Sequence, residues 1–356
     1  MVKSKKILTL IISIFAFLNL SVFSCFLTVA DEPDEPQKTV AILTSGGDAP
    51  GMNAAIRAFT KVALANGMKV IGFRYGYEGL LKKDFIELTY ENVSGISCLG
   101  GTILHSSRSK EFNTPEGVEK AAEICKEMGI SGIAVIGGDG TFRGARDLTN
   151  AGINCVGLPG TIDNDIKCSE YTIGFDTANN TVMRLLDKVR DTSKSHDRCF
   201  VIEVMGRGCG DIALQTGLAS EATAILVPEV DFDFQEDVIE RIKTARFNGE
   251  THFIVVVAEG VGGVETLAKQ IENLTEIDTR YIVLGHIQRG GAPTLKDRIV
   301  ASQMGIHAAN LLCENKGNKV VVVNCGEIVD IDINEALSAE KSFDYGLYED
   351  TLRLGL

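Results

Sequence analysis

The sequence predicts an α/β protein built from two doubly wound sheets, and three observations carry that expectation. From residue 38 onward, short runs rich in Val and Ile alternate with longer amphipathic stretches. The short runs are apolar on both faces, as strands covered by helices on two sides must be. Their number exceeds what one ordinary sheet of about four to six strands holds, and 356 residues suit roughly two domains.

In chain order the predicted strands are 39–43, 70–73, 133–136, 155–158, 200–204, 225–227, 253–258, 282–284 and 320–323. Helices are predicted over 51–66, 115–128, 178–190, 237–247 and 298–313, between the strands. Several strands run straight into glycine turns, at 45–48, 137–140 and 157–160; others end in polar segments at 203–207, 259–260 and 284–286. Ligands of open α/β sheets bind beyond the carboxyl ends of the strands, so the polar residues gather where a site belongs. The core holds no internal repeat and no low-complexity tract.

A net charge of −13 speaks against a nucleic-acid partner but leaves room for a local basic pocket. The nine cysteines (25, 98, 125, 155, 168, 199, 209, 313 and 325) form no CxxC pair or His/Cys cluster, which disfavours a zinc site. Their scatter suits reduced thiols.

The N-terminus points the other way. Lys3, Lys5 and Lys6 precede an uncharged run over 7–30 and an acidic, Pro-rich stretch over 31–37. That is the layout of a signal peptide cleaved after Ala30, or of an uncleaved membrane anchor. Val22–Cys25 makes a poor lipoprotein box, and a working start near Lys38 is a further reading. Residues 1–37 are therefore set apart as a leader and linker.

Three motifs carry chemistry. Thr44–Gly51 takes a strand through a glycine turn into a helix, where inward N–H groups and the helix terminus favour phosphate; a plain tight turn has the same pattern. No GxxxxGK[ST] and no strand-borne GxGxxG occurs. Gly137–Thr141 places Asp139 in a glycine loop at a strand end, where a carboxylate holds Mg²⁺ against a polyphosphate. The same string resembles the GGDGT of NAD kinases and diacylglycerol-type lipid kinases. In Pro159–Asp165, Asp163 and Asp165 alternate around Asn164 in an expected extended loop, so that one accepts a hydroxyl proton while the other supports the metal or the first. Arg198, Arg207, Arg280, His286 and Arg289 add a cationic set near strand ends, the chemistry of a phosphorylated acceptor.

Together these strings resemble the bacterial-type ATP-dependent 6-phosphofructokinases over residues 39 to about 340. The matching stretches are 45–57, 100–108, 136–141, 158–166, 171–178, 191–198, 203–207, 284–294 and 297–298, in one order. The resemblance implies two Rossmann-like αβα domains with the active site in the cleft between them. An ATP domain would comprise 38–174 with 289–340, and a fructose 6-phosphate domain 175–288 with 341–356. Gly47, Arg108, Ser109, Gly138, Asp139, Gly140 and Thr141 would bind ATP, with Asp139 on Mg²⁺. Thr161, Ile162 and Asp163 would meet the sugar, Asp163 as proton acceptor supported by Asp165. Met205, Gly206, Arg207 and Glu259 would hold the sugar, Arg207 also serving catalysis.

By the same resemblance, Arg198, Arg280, His286, Ile287, Gln288 and Arg289 would complete the sugar-phosphate pocket. Arg198 and Arg280 would come from a neighbouring subunit of a homo-oligomer, usually a tetramer. Pyrophosphate-dependent relatives carry Asp and Lys where this chain has Gly140 and Gly160, which favours ATP here. A non-catalytic sugar-phosphate-binding subunit is the reading from another class. Arg57, Lys61 and Arg190 match part of the family's effector pocket, but Glu250-Thr251 stands where a lysine pair is expected, and Thr223 where an acidic residue is, with Glu221 nearby. Weak allosteric control follows from that. ATP and fructose 6-phosphate being intracellular, a cytoplasmic glycolytic enzyme is expected despite the leader.

Overall fold

Alternation of strand and helix starts at once in the computed structural model, which describes residues 37–354. The expected signal peptide, anchor or lipoprotein box, and Cys25, lie outside the described residues. In chain order come β1 (Thr39–Thr44), α1 (Met52–Ala65), β2 (Lys69–Phe73), α2 (Gly76–Lys82), β3 (Phe85–Glu87), α3 (Pro115–Glu127) and β4 (Ile130–Gly137). Then follow α4 (Asp139–Asn150), β5 (Cys155–Pro159), α5 (Phe175–His196), β6 (Cys199–Val204), α6 (Asp211–Ala219) and β7 (Ala224–Leu226). A π-helical turn leads into α7 (Arg241–Phe247), followed by β8 (Phe253–Ala258), α8 (Val264–Thr275), β9 (Thr279–Val283) and α9 (Leu295–Cys313). The chain closes with β10 (Lys319–Asn324), β11 (Glu327–Asp332), α10 (Ile333–Ser338) and α11 (Tyr345–Leu354).

Two sheets result. One has the order β11-β10-β5-β4-β1-β2-β3, the other β7-β8-β6-β9. All pairings are parallel except at the first sheet's two edges, β10–β11 and β2–β3. This is the doubly wound α/β architecture that the sequence predicts, with crossover helices shielding both faces. The first sheet draws its strands from 39–159 and 319–332, the second from 199–283.

The interior is aliphatic, with Ile42, Ile56, Phe59, Ile136, Val156, Ile202 and Val256 wholly buried in one cluster that reaches both sheets. Truncating Phe59 to Ala would cost about 3–5 kcal/mol, because transfer and cavity terms add. Helices α1 and α9 cross closely at Gly305, where a Cβ would come within 2.5 Å of the Ala55 carbonyl.

Differences from the expected elements lie at edges. The strand expected over 282–284 runs over Thr279–Val283 instead, because β9 is an edge strand whose Tyr281 and Val283 are exposed. Strands β3 and β11 are antiparallel additions, one only three residues long and the other mixing acidic with aliphatic residues, and neither carries a buried-strand signal. The helix expected over 178–190 extends over Phe175–His196, and that over 298–313 starts at Leu295.

One buried carboxylate ties the layout together. Asp297, in the first turn of α9, accepts from the Gly174 and Thr177 amides at 2.8 Å each and from the Tyr171 and Thr177 hydroxyls. Burial pushes its carboxyl up and these four donors oppose that. The start of α5 is thereby fixed against the start of α9, two positive helix ends sharing one anion. The eight cysteines among the described residues are free thiols.

Candidate active site

One cleft gathers the carboxyl ends of β1, β4 and β5 from the first sheet and the ends of β6 and β8 from the second. On the side of the glycine loops, the Ser45 amide donates to the Ile136 carbonyl at 3.0 Å, and the Thr141 hydroxyl donates to the Ser45 carbonyl at 3.1 Å. The Ser106 hydroxyl holds the Gly46 carbonyl at 2.6 Å. Gly51 takes φ 114, a left-handed value suited to glycine, and α1 starts at the next residue. Gly138 caps α4 without a side-chain hydrogen bond, and Asp139 is the acidic residue of its first turn, so the helix N-terminus and that carboxylate face the cleft together.

Tyr77, Phe112 and Asn113 also line this side, and sequence reasoning missed all three. The Tyr77 and Phe112 rings stack with centroids 3.9 Å apart, and the Tyr77 hydroxyl holds the Thr141 carbonyl at 2.7 Å. They come from separate elements with no motif of their own, so only the fold brings them to the glycine loops.

The opposite side is built on the loop after β5. Asn164 is left-handed, φ 51, so the loop is not extended as expected. The chain bends at Ile162 and Asp163 just before it, and Asp163 and Asp165 both line the cleft. Asn and Asp tolerate this conformation better than other non-glycine residues. Asp163 is buried, and its Oδ1 has no hydrogen-bond partner. Its nearest cation is Arg289, at 3.9 Å. Burial raises the Asp163 carboxyl above its ordinary value, Arg289 draws it down, and Asp165 and Glu259 push it up. Asp165 is likewise raised, first by burial, against the pull of Arg207 at 3.6 Å.

Arg207 has φ 58 and donates its backbone amide to Glu259. Gly47, Arg108, Ser109, Gly138, Asp139, Gly140, Thr141, Thr161, Asp163, Asp165, Arg207, Glu259 and Arg289 thus share the cleft. Arg289 also approaches the donor loop, within 3.4 Å of the Asp48 carbonyl.

Other expected site residues sit elsewhere. The Ile162 side chain is wholly buried. Gln288 is buried too, its amide spent on the Met205 N–H at 3.1 Å and the Gly285 carbonyl at 3.0 Å. Met205 is buried and Gly206 adopts φ 139 beside it. His286 and Ile287 are exposed on a 3₁₀ turn. Arg198 and Arg280 lie outside the cleft lining and both pair with Asp278, at 2.6 and 3.0 Å. Of the expected effector residues, Arg57 and Lys61 lie on α1, and Arg190 pairs with Glu221 at 3.0 Å.

Among the described residues no group of three or more His, Cys, Asp or Glu side chains is arranged as a metal cage. Asp139 and Asp165 do face one cleft, close enough that the charge of Asp139 pushes Asp165 up. That donor set fits Mg²⁺, which takes one or two carboxylates and completes its shell with phosphate and water.

Two doubly wound sheets meet at a cleft that sets glycine loops and a helix N-terminus opposite a buried carboxylate, an arrangement suited to a phosphotransferase. The family model for phosphofructokinase matches residues 39–312. An ATP-dependent 6-phosphofructokinase of Clostridium botulinum (strain Loch Maree / Type A3) is 53% identical over 312 residues, 88% of this chain and 98% of that one. Phosphofructokinase from Saccharomyces cerevisiae superposes with a TM-score of 0.81 at 30% identity, covering 89% of this chain and 50% of the yeast chain. A pyrophosphate-dependent phosphofructokinase from Marinobacter aquaeolei shares the fold, with TM-score 0.78 and 23% identity over 87% of this chain and 86% of that one. The chain belongs to the phosphofructokinase family.

Proposed function

We propose that this chain is an ATP-dependent 6-phosphofructokinase of glycolysis, transferring the γ-phosphoryl group of ATP to the 1-hydroxyl of fructose 6-phosphate. The observation that carries the mechanism is the buried, partnerless Oδ1 of Asp163 opposite the glycine loops. A carboxylate with a raised pKa and a free lone pair suits a base that takes the hydroxyl proton as the new P–O bond forms. The bond from the γ-phosphorus to the ADP oxygen breaks, and the charge leaves with ADP. Gly47, Arg108, Ser109, Gly138, Gly140 and Thr141 hold the donor. Arg108 and Arg207 balance charge on the moving group, Thr161 orients the loop through its contact with the Asp163 amide at 3.2 Å, and Asp165 supports Asp163. Asp139 and Asp165 would hold Mg²⁺, which supplies charge neutralisation on the phosphates.

Gly140 supports ATP over pyrophosphate as donor: nothing lies within 4 Å of a Cβ built there, so the space an acidic side chain would fill is open. Glu259, Met205 and Gly206 hold the sugar, Arg289 and His286 form the 6-phosphate end, and Gln288 fixes the Met205 amide behind them. Arg198 and Arg280 act on the site of a neighbouring subunit in a homo-oligomer, a tetramer. Their distance from this chain's own cleft, and the exposed edge strand β9, support that reading.

The enzyme works in the cytoplasm, where both substrates are. No helix among the described residues is long and apolar enough to cross a membrane. N-terminal sequencing of native protein tests this, and a chain beginning at Met1 in the membrane fraction, or at Asp31 outside the cytoplasm, would refute it. The functional reading is tested by a coupled assay of fructose 6-phosphate with ATP or with pyrophosphate, with and without Mg²⁺. Turnover with ATP and Mg²⁺ alone is expected. No turnover, or turnover with pyrophosphate only, would sink it.

A further inference from the structure

Behind the left-handed residue Asn164 lies a set of contacts that the phosphoryl-transfer chemistry does not itself require. The Lys341 ammonium donates to the Asn164 carbonyl at 2.6 Å and to Asp211 Oδ2 at 2.9 Å. The Asn164 side-chain amide donates to the same Asp211 oxygen at 2.7 Å. From the other side, the Thr172 hydroxyl donates to the Thr161 carbonyl at 2.7 Å and reaches Asn164 Oδ1 at 3.4 Å. Three distant pieces of chain meet here: the loop after β5, the first residue of α6, and the segment between α10 and α11.

We infer that Lys341 is a positioning residue for phosphoryl transfer, clamping Asn164 through Asp211 so that Asp163 and Asp165 both face the cleft. The inference rests on the kinase reading given above. Its physical basis is acceptor crowding. The Asn164 carbonyl and the Asp211 carboxylate are two acceptors drawn to one point, and an ammonium with several donors holds both. Without the cation, the Asn164 carbonyl keeps only the weak Cys209 thiol donor at 3.9 Å, and Asp211, whose side chain is only 13% exposed, loses its countercharge. The left-handed turn is then held by Asn164's own amide and Thr172. Its two neighbours are the residues whose carboxylates must aim at the reacting centre.

The test compares the full-length chain with Lys341→Met and Lys341→Arg. A reacting group displaced by about 1 Å loses up to about 100-fold in rate, so Lys341→Met should lower kcat about 10- to 100-fold. KM for both substrates should stay within about twofold, since binding groups on other loops are untouched. Lys341→Arg, which still donates to both oxygens, should recover most of the loss. Amide hydrogen exchange at 161–165 should quicken in Lys341→Met and not in Lys341→Arg. Turnover of Lys341→Met within about twofold of the parent, or a loss confined to KM, overturns the inference. Unchanged exchange at 161–165 overturns it too, independently of activity. Should the parent fail to phosphorylate fructose 6-phosphate, the kinase reading fails, and exchange alone decides whether the clamp exists. If Lys341→Met does not fold, Asp211→Asn takes its place. It keeps an acceptor for Asn164 but drops the charge, and should give a smaller loss in kcat with quickened exchange; full activity with unchanged exchange overturns the inference.

Discussion

The Arg289 guanidinium stands 3.9 Å from the Asp163 carboxylate, between the base and the donor loop. Burial, Asp165 and Glu259 push that carboxyl up and Arg289 pulls it down. A base works only when ionised, so activity falls as pH drops through its pKa. Removing the cation leaves burial less opposed, and Arg289→Ala should move the acid limb of kcat/KM to higher pH. A limb that stays in place would show that Arg289 does not set the charge of Asp163.

Asp163→Ser should lose about 10²–10⁴ in kcat, the usual worth of a general base, while KM for both substrates changes little. The same variant should be more stable, not less. A carboxylate whose folded pKa is raised destabilises the fold once ionised, and that cost fades as pH falls and vanishes only below the ordinary value of 3.8, where both states are protonated. The thermal midpoint should therefore rise at pH 7, with the gain shrinking as pH falls toward 4. Scanning calorimetry at several pH values measures it, and a midpoint lowered at pH 7 would contradict the account.

Much of this site was legible in the sequence, because the donor and base loops are contiguous strings at the ends of strongly apolar strands. Asp139, Asp163 and Arg207 needed only their neighbours in sequence to be singled out. Tyr77 and Phe112 were not legible, since an aromatic pair 35 positions apart has no spacing signature and meets only after β2, α2 and α3 have packed. The turn at Asn164 was misread for a related reason. Its left-handed backbone is held by Asp211 and Lys341, residues remote in sequence, while the local string reads equally well as extended. Edge strands β3 and β11 escaped because a strand with one open side need not be apolar on both faces.

Arg280 sits outside this chain's cleft, paired with Asp278. If it serves a neighbouring subunit, Arg280→Ala should raise KM for fructose 6-phosphate far more than KM for ATP. Co-expressing Arg280→Ala with Asp163→Ser should then restore turnover, because mixed oligomers contain some sites with both residues intact. Mixtures as inactive as the separate variants would show that each chain carries a self-sufficient site.

Control by nucleotide effectors should be weak. Arg190 is already paired with Glu221 at 3.0 Å, and Glu250 brings further negative charge where the family has a lysine. An incoming polyphosphate must displace one carboxylate and approach another. Millimolar ADP should leave the fructose 6-phosphate saturation curve almost unmoved. A strong leftward shift with ADP, or a strongly sigmoidal curve with phosphoenolpyruvate, would show a working pocket.

Asp297 has a topological consequence. The chain leaves the first sheet near Gly174, builds the whole second sheet, and returns to the first at α9, where Asp297 bonds Gly174 and Thr177 across 120 or more positions. The second sheet is thus a closed loop pinched at its neck by one carboxylate. Chain-closure entropy for so long a loop grows only slowly with length. An insertion or deletion within the second sheet's surface loops therefore leaves the neck, and the glycine-loop half that it seals, thermodynamically almost untouched.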